Sequence, residues 1–419
     1  ARQIGKTTTL KEFGSKEYDE YVYLNLEKRQ EIHSFFITSK EPQRILDNIS
    51  LLHGKKITPE KTLLIIDEIQ ECPDAITALK YFEEEMLKLS IIGAGSLLGL
   101  SIRNNKSFPV GKVEFLEMYP LTFDEYLKKA NEKLYLAFTH FLEKDKLEAM
   151  PTAFFNPLKE IHKQYILFGG MPEAASQFLS HGDIAQVSGI QDQILKAYQL
   201  DFMKSAGGST TTRIQQVWNS LPSQLAKENK KFLYKVIKKG ARAREYEESI
   251  QWLLQAGLVY KISRVDKPGL PLSAYEDLSS FKLYVFETGL LMRLAGLQPH
   301  TFFHGDGFFQ EFKGSIAENH VAQALRPYAR KNIYYWNSDG RAEIDFLIEV
   351  NGQNVPIEVK SGKATKAKSL SVYKERYKPK IRVRISNLNL NLTDDLLNIP
   401  SFYAAHSPEL IKKALNSKH

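Results

Sequence analysis

The chain has 419 residues, of which 43% are hydrophobic and 25% are charged, and its net charge is +8. This composition is typical of a globular protein with two or three domains. No apolar run reaches the roughly eighteen residues of a membrane span, so we expect no membrane insertion. A single cysteine, Cys72, excludes an internal disulfide framework and favours a cytoplasmic location.

The first eight residues, ARQIGKTT, carry the strongest motif. They match the phosphate-binding pattern GxxxxGK(S/T) from its second position onward, so we expect the domain to be truncated before Ala1. In such a loop, backbone N–H groups surround phosphate oxygens, the lysine reaches the β- and γ-phosphates, and the threonine hydroxyl binds Mg²⁺. A glycine-initiated helix with a surface lysine is the alternative. The predicted nucleotide-binding residues are Arg2, Gln3, Ile4, Gly5, Lys6, Thr7 and Thr8.

The stretch TLLIIDE at 62–68 is a short apolar run that ends in two carboxylates. Such a run is typical of a strand buried on both faces of a parallel sheet. Asp67 is predicted to hold Mg²⁺ together with Thr7, and Glu68 to orient or deprotonate the attacking water. A core strand followed by solvated acids is the alternative, but it is a poor one beside a phosphate-binding loop.

Residues 1 to about 125 alternate short apolar runs with helical patterns, which indicates an α/β sheet. Ser96 follows the third apolar run and is a candidate contact to the γ-phosphate or to the attacking water; an ordinary turn serine is the alternative. The predicted strands are 21–26, 63–66 and 89–93, and the predicted helices are 6–13, 42–52 and 75–85.

Residues 126–204 have helical periodicity throughout and are predicted to form a lid. Residues 205–275 are predicted to form a small winged-helix-like unit. This unit contains a dense cluster of basic residues between 227 and 244. Such a cluster could contact DNA phosphates, whereas a solvated helix face or a protein contact is the alternative. The cluster consists of Lys227, Lys230, Lys231, Lys235, Lys238, Lys239, Arg242 and Arg244.

Residues 276–419 contain a second group of acids and a lysine. Strand alternation would put Glu358 and Lys360 on one face, where Asp345 of a neighbouring strand could meet them. The two carboxylates would then hold Mg²⁺, and Lys360 would help to position a hydroxide. This arrangement resembles the PD-(D/E)xK nuclease core, with Glu318 as an added helix acid. A nuclease fold with a purely structural role is the alternative.

Several motifs occur in one order along the chain: ARQIGKTT, LLIIDEIQ, GAGSLLGL, GKVEFLEMYPLTFDEY, YILFGGMP, KLYVFETGL, GSIAEN and PIEVK. Together they resemble the prokaryotic AAA-type ATPases that carry a C-terminal restriction-endonuclease-like domain of unknown function. The resemblance implies an α/β fold with a P-loop parallel sheet over 1–125, followed by the helical lid, the winged-helix unit and a restriction-endonuclease-like α/β domain.

For function, the resemblance implies Mg²⁺-dependent ATP binding and hydrolysis, with the ATPase acting as a switch on the C-terminal domain, and a homo-oligomer. Lys112 stands where the family usually has arginine, so Lys112 or Arg103 is the candidate cation for the transferring phosphoryl group; a solvated loop cation is the alternative. Two other functions stay open: a metal-dependent DNA nuclease regulated by ATP, and a non-catalytic switch that binds DNA or protein.

Overall fold

The computed structural model describes residues 1–96, 111–205, 207–227, 230–299, 302, 310–329, 333–338, 342–362 and 368–417. The chain divides into two compact units, Ala1–Tyr119 and Pro120–His419. Among the residues described, no helix is both long enough and apolar enough to cross a membrane.

The N-terminal unit is built on a three-stranded parallel sheet with β2 in the middle. All six residues of β2 are buried, which confirms the prediction of a strand covered on both faces. The strands are β1 (Glu20–Asn25), β2 (Thr62–Asp67) and β3 (Ser90–Ala94). The helices are α1 (Lys6–Glu17), α2 (His33–Ile37), α3 (Pro42–His53) and α4 (Pro73–Glu85).

The helix starts in this unit follow from the local sequence. Gly5 has a left-handed backbone with φ 88°, which glycine adopts without steric cost, and α1 begins at the next residue. Pro42 and Pro73 occupy the first turns of α3 and α4, where the missing N–H of proline is not needed. The apolar sides of α2, α3 and α4 join β1 and β2 in one buried cluster.

The C-terminal unit begins with a series of helices, in agreement with the periodicity predicted for 126–204. The helix Thr152–Phe168 ends before Gly169, which has φ 83°, and the next helix starts at Pro172, a residue suited to the first turn of a helix. The helices are α5 (Phe123–Ala130), α6 (Glu132–Glu143), α7 (Thr152–Phe168), α8 (Pro172–His181), α9 (Ile184–Ser205), α10 (Gly208–Leu225), α11 (Tyr234–Ile237) and α12 (Ala243–Gln255).

These helices are followed by a mixed sheet of eight strands in the order β10-β11-β9-β8-β7-β6-β4-β5. Its strands are β4 (Val259–Val265), β5 (Glu276–Val285), β6 (Ile333–Asn337), β7 (Glu343–Val350), β8 (Gln353–Lys360), β9 (Arg382–Ser386), β10 (Asn391–Thr393) and β11 (Leu396–Pro400). The remaining helices are α13 (Thr288–Leu294), α14 (Gln310–Ala329), α15 (Lys368–Tyr377) and α16 (Ser407–Asn416).

One predicted strand has different neighbours from those expected. The sequence suggests that β4 is the wing of a small separate unit, but β4 pairs with β6 as well as with β5 and so belongs to the large sheet. Its buried apolar residues explain the difference. Val265 lies in one hydrophobic cluster with Trp336, Ile344 and Tyr373, and this cluster joins β4 to the C-terminal strands and to α15.

Candidate functional site

The phosphate-binding loop and the end of β2 meet in the N-terminal unit. The Thr7 hydroxyl donates a hydrogen bond to Asp67 Oδ2 over 2.7 Å. Thr7 lies in the first turn of α1, and Asp67 is the last residue of the central strand. The sequence predicts that these two side chains share a metal site. Hydroxyl and carboxylate oxygens suit Mg²⁺, which usually takes only one or two protein carboxylates beside phosphate oxygens.

The Lys6 ammonium points back to its own loop, where it donates to the carbonyl oxygen of Ala1 over 2.6 Å. Burial lowers the pKa of Lys6, while the nearby charges of Glu68 and Asp67 oppose this decrease. The lysine therefore lies within electrostatic reach of both acids. Its hydrogen bond to a neutral carbonyl is one that an anionic ligand could replace.

Glu68 is held by two neutral side chains at the end of the sheet. Its Oε2 accepts from the Gln70 amide at 2.6 Å and from the Ser96 hydroxyl at 3.2 Å. Arg2 Nε donates in turn to the Ser96 hydroxyl at 3.1 Å. These hydrogen bonds connect the loop, the acid that follows β2 and a serine two residues after β3. Ser96 contacts the predicted base, a position that suits the predicted sensing role.

Sequence reasoning missed two residues of this site, Tyr23 and Gln70. The Tyr23 hydroxyl donates to Asp67 Oδ2 at 2.7 Å, so that this oxygen accepts from both Tyr23 and Thr7. Burial raises the pKa of Tyr23 to about 12, with a further contribution from Asp67. The sequence alone gives no sign of this contact: Tyr23 and Asn25 are alternate residues of β1, and the pairing of Asn25 with Asp67 in the sheet brings Tyr23 to Asp67.

The other predicted residues of the N-terminal site have less specific surroundings. Ile4 is buried, whereas the side chains of Gln3 and Thr8 are exposed. Gln3 has φ 61°, so the loop contains two left-handed residues, Gln3 and Gly5, a feature of backbone concavities that bind anions. Lys112 forms ion pairs with Glu83 at 2.8 Å and Glu84 at 3.7 Å. Arg103 lies outside the described residues.

In the C-terminal unit, the predicted residues Asp345, Glu358 and Lys360 come together on β7 and β8. The two strands are antiparallel, with Phe346 opposite Ile357. Asp345 directly precedes Phe346, and Glu358 directly follows Ile357. Asp345 Oδ2 accepts from the backbone N–H of Val359 at 2.7 Å, and Lys360 Nζ lies 2.7 Å from Glu358 Oε1. The other carboxylate oxygen of Glu358 is buried and has no partner among the described residues.

Additional charges surround these residues. Glu318 of α14 pairs with Lys230 at 2.5 Å and accepts from the Tyr284 hydroxyl at 3.1 Å. Lys282 of β5 is fully buried and pairs with Glu343. Its ammonium also lies 4.0 Å from the Glu318 carboxylate. Burial opposes the charged form of Lys282, but the two carboxylates outweigh it and raise the pKa of the ammonium.

Asp345 lies among these charges but forms no ion pair with a described lysine; Lys282 and Lys230 act on it only as nearby charges. Burial, followed by the charge of Glu318, raises the pKa of Asp345 to about 8. Across the described residues, no group of three or more His, Cys, Asp or Glu side chains is arranged to hold a metal ion. A metal ion at the predicted site would therefore have two carboxylate ligands from the described residues, Asp345 and Glu358, and lysine ammoniums lie close to both.

The basic cluster of 227–244 only partly faces solvent. Lys230 turns inward to Glu318, and Lys231 donates to the Ser280 hydroxyl at 2.9 Å. The local charge pattern did not reveal these partners, because both lie about fifty or more residues away in sequence. The remaining six residues are exposed: Lys227, Lys235, Lys238, Lys239, Arg242 and Arg244.

Comparisons with known proteins agree with the geometry of the N-terminal site. Residues 1–127 match the model of an AAA domain. Residues 159–301 and 313–402 match domains of unknown function, DUF8612 and DUF4143, whose descriptions name no activity. A search of curated proteins found no match.

Among solved structures, the Walker-type ATPase PABY2304 of Pyrococcus abyssi is similar, with 13% identity and a TM-score of 0.40. The alignment covers 70% of this chain and 89% of that one. At that TM-score the likeness decides neither fold nor function. The AAA-domain match, together with the loop and the acids at the strand end, supports a P-loop ATPase family for the N-terminal part of the chain.

Proposed function

We propose that the chain binds Mg²⁺-ATP at the loop of residues 1–8 and hydrolyses it, as a switch for the C-terminal domain. The contact between the Thr7 hydroxyl and the Asp67 carboxylate carries this proposal, because it brings the two predicted metal-binding side chains within 2.7 Å. The AAA-domain match over the same residues supports it.

Each residue has a distinct task in this scheme. Lys6 would exchange the carbonyl of Ala1 for oxygens of the β- and γ-phosphates, and Thr7 and Asp67 would hold Mg²⁺. When bound, Mg²⁺ supplies positive charge that offsets the charge on the phosphates. Glu68 would orient the attacking water and accept its proton. The Ser96 hydroxyl and the Gln70 amide would keep the Glu68 carboxylate in position.

A comparison of two lysines on the same helix tests the ATPase. Lys6→Ala removes the phosphate-binding ammonium, whereas Lys16→Ala removes an exposed ammonium that pairs with the exposed Glu12. We expect Lys6→Ala to reduce phosphate release from Mg²⁺-ATP by about a hundredfold or more, and Lys16→Ala to leave it unchanged. Equal rates in the two variants would remove Lys6 from the mechanism.

A second candidate function is a metal-dependent DNA nuclease that the ATPase regulates. The Glu358 carboxylate supports it, because one of its oxygens pairs with Lys360 and the other is buried without a partner among the described residues. Asp345 lies on the neighbouring strand, β7. The six exposed cations between 227 and 244 are a suitable surface for a DNA backbone. Against it stand the three lysines Lys230, Lys282 and Lys360, which already balance much of the acid charge.

Incubation of the protein with plasmid DNA and Mg²⁺ distinguishes a nuclease from a non-catalytic switch. If the nuclease is present, the unmodified chain nicks or linearises the plasmid, and Asp345→Ala and Lys360→Ala do not. Intact plasmid in every tube would favour a switch that binds DNA or protein without cutting. Retarded migration of DNA that disappears when Lys238, Lys239 and Arg242 are changed to alanine would identify DNA as the partner of that switch.

A further inference from the structure

The C-terminal unit contains a cavity of about 140 Å³, and of the residues that line it only Lys360 has a part in the functions proposed above. It is bordered by α7 and α14 and by the ends of β8 and β9. Four half-buried lysines line it: Lys159 and Lys163 of α7, Lys313 of α14, and Lys360 of β8. None of the described lining residues is acidic, so the cavity has a strongly positive border.

The acid partners of these lysines are few. Lys163 pairs with Glu160 at 2.7 Å and Lys360 with Glu358 at 2.7 Å. The Lys159 ammonium lies 5.4 Å from the centre of the Phe155 ring. Lys313 has no ion pair with any described residue. Among the described residues, two carboxylates pair with these four cations, so an anion that enters the cavity would find positive charge that those two acids do not balance.

The inner part of the cavity is apolar. The side chains of Ile316, Val359 and Ile385 line it, and all three are buried. Its volume is close to that of an engineered protein cavity of roughly 150 Å³ that binds benzene. The cavity therefore has room for one ring-sized apolar group, with the lysines near the outer end of such a ligand.

One of the histidines that line the cavity has an unsatisfied hydrogen-bonding atom. The Nε2 atoms of His162 and His320, which both line the cavity, are 2.9 Å apart, and His320 Nε2 is 3.4 Å from the carbonyl oxygen of Ser401. Because a carbonyl only accepts, we assign the proton of His320 to Nε2. Its Nδ1 is then an acceptor; this atom is buried and has no partner among the described residues. A ligand with an N–H group would satisfy it.

We propose that this cavity binds a pyrimidine nucleotide carrying a 5′-phosphate. The ring would occupy the apolar part, its N–H would donate to Nδ1 of His320, and the phosphate would contact the lysines. A free mononucleotide and the 5′-phosphorylated end of a nucleic-acid strand have this chemistry in common. The site is independent of the ATPase proposal, since all its residues belong to the C-terminal unit.

Calorimetric titration of the full chain with thymidine 5′-monophosphate tests the proposal. All titrations use the Lys6→Ala background, which removes binding at the N-terminal loop. We expect saturable binding that Lys313→Met weakens about tenfold or more, as the loss of a charge-assisted hydrogen bond predicts. Lys313→Arg should bind within about threefold of the parent, and Lys412→Met, which alters an exposed lysine outside the cavity, should bind like the parent.

A second variant tests the apolar part without changing charge. Ala317 lines the cavity and is half-buried, so Ala317→Phe would fill the space for the ring and abolish binding. Thymidine and inorganic phosphate, each with half of the ligand, should bind at least about tenfold more weakly than the nucleotide. Absence of nucleotide binding, or equal binding by the parent, Lys313→Met and Ala317→Phe, would overturn the proposal.

A short oligothymidylate with and without a 5′-phosphate distinguishes the two sources. If the ligand is a strand end, the phosphorylated strand binds at least as tightly as the mononucleotide, and the unphosphorylated strand binds about tenfold more weakly than the phosphorylated one. If the ligand is a free nucleotide, only thymidine 5′-monophosphate depends on Lys313. Either result supports the cavity as a nucleotide site.

Discussion

The two units each place lysines beside carboxylates, but they do so in different ways. In the N-terminal unit, the Lys6 ammonium donates to a backbone carbonyl, and burial lowers its pKa. In the C-terminal unit, Lys282 is fully buried and pairs with Glu343, and its pKa is raised. The first lysine can exchange a weak partner for an anionic ligand, whereas the second already balances the charge of its neighbours.

The difference shows that an acid–lysine motif does not by itself indicate chemistry. A cation that the fold needs for its own charge balance is not available to a ligand, because its removal leaves buried carboxylates uncompensated. A buried cation that has no direct acid partner is free to bind an anionic ligand, because the fold does not need its charge. This contrast can be tested by making the same substitution in both units.

The largest expected effect is on stability, from Lys282→Met. This substitution keeps an apolar side chain of similar length but removes the ammonium that compensates Glu343 and Glu318. We expect the free energy of unfolding to fall by about 3–5 kcal/mol, as for other broken buried ion pairs. Equilibrium denaturation in urea measures it. Lys412→Met, at an exposed position, is the control and should change stability by less than about 0.5 kcal/mol.

A loss below about 1 kcal/mol for Lys282→Met would contradict the view that this lysine balances the cluster.

The second effect is a dependence of C-terminal stability on pH. Burial lowers the pKa of His320 from 6.5 to about 4, and burial also lowers the pKa of its neighbour His162. Between those two pH values the unfolded chain binds a proton at His320 that the folded chain does not. Stability therefore falls as the pH drops from 6.5 to 4, by up to about 3 kcal/mol for His320 alone.

Urea denaturation at several pH values measures this slope, and His320→Asn should reduce it. An unchanged slope in the variant would show that the pH dependence arises elsewhere.

A smaller effect is expected from Tyr23→Phe in the N-terminal unit. The substitution removes the hydrogen bond from the Tyr23 hydroxyl to Asp67 and leaves the bond from Thr7. We expect a loss of about 1 kcal/mol in the free energy of unfolding, the usual contribution of one hydrogen bond. Tyr21→Phe is the matched control in the same strand. If both variants lose the same amount, the contact with Asp67 does not contribute.

The smallest effect on stability is expected from Lys6→Met. Because burial lowers the pKa of Lys6, its charge is not stabilised by the fold, and its loss should change stability by less than about 1 kcal/mol in either direction. The same variant should lose ATP hydrolysis. A destabilisation as large as that of Lys282→Met would show that the two lysines have the same role.

Local sequence patterns predicted the elements of the N-terminal site because each pattern is short and contiguous. The loop that ends at Thr7 and the apolar run before Asp67 could be identified without knowledge of the fold. Tyr23 could not, since its role depends on the pairing of β1 with β2. The buried ion pair of Lys230 could not be predicted for the same reason, because its partner Glu318 lies 88 residues away on α14.

The pairing of β4 with β6 was hidden for the same reason, because a strand pattern does not specify which strand lies beside it. The segment of β4 was assigned from sequence to the winged-helix-like unit of 205–275. Its place in the large sheet depends on buried contacts with residues that follow some seventy positions later.

The most direct test of the account is ATP turnover by Glu68→Gln. The amide keeps the size of the carboxylate but cannot accept a proton from water, so bound ATP should stay intact. We predict that phosphate release falls about a hundredfold while Mg²⁺-ATP binding persists, and that Glu71→Gln, an exposed neighbour, behaves like the parent. Unchanged phosphate release by Glu68→Gln would contradict the assignment of this residue as the base and, with it, the proposed site.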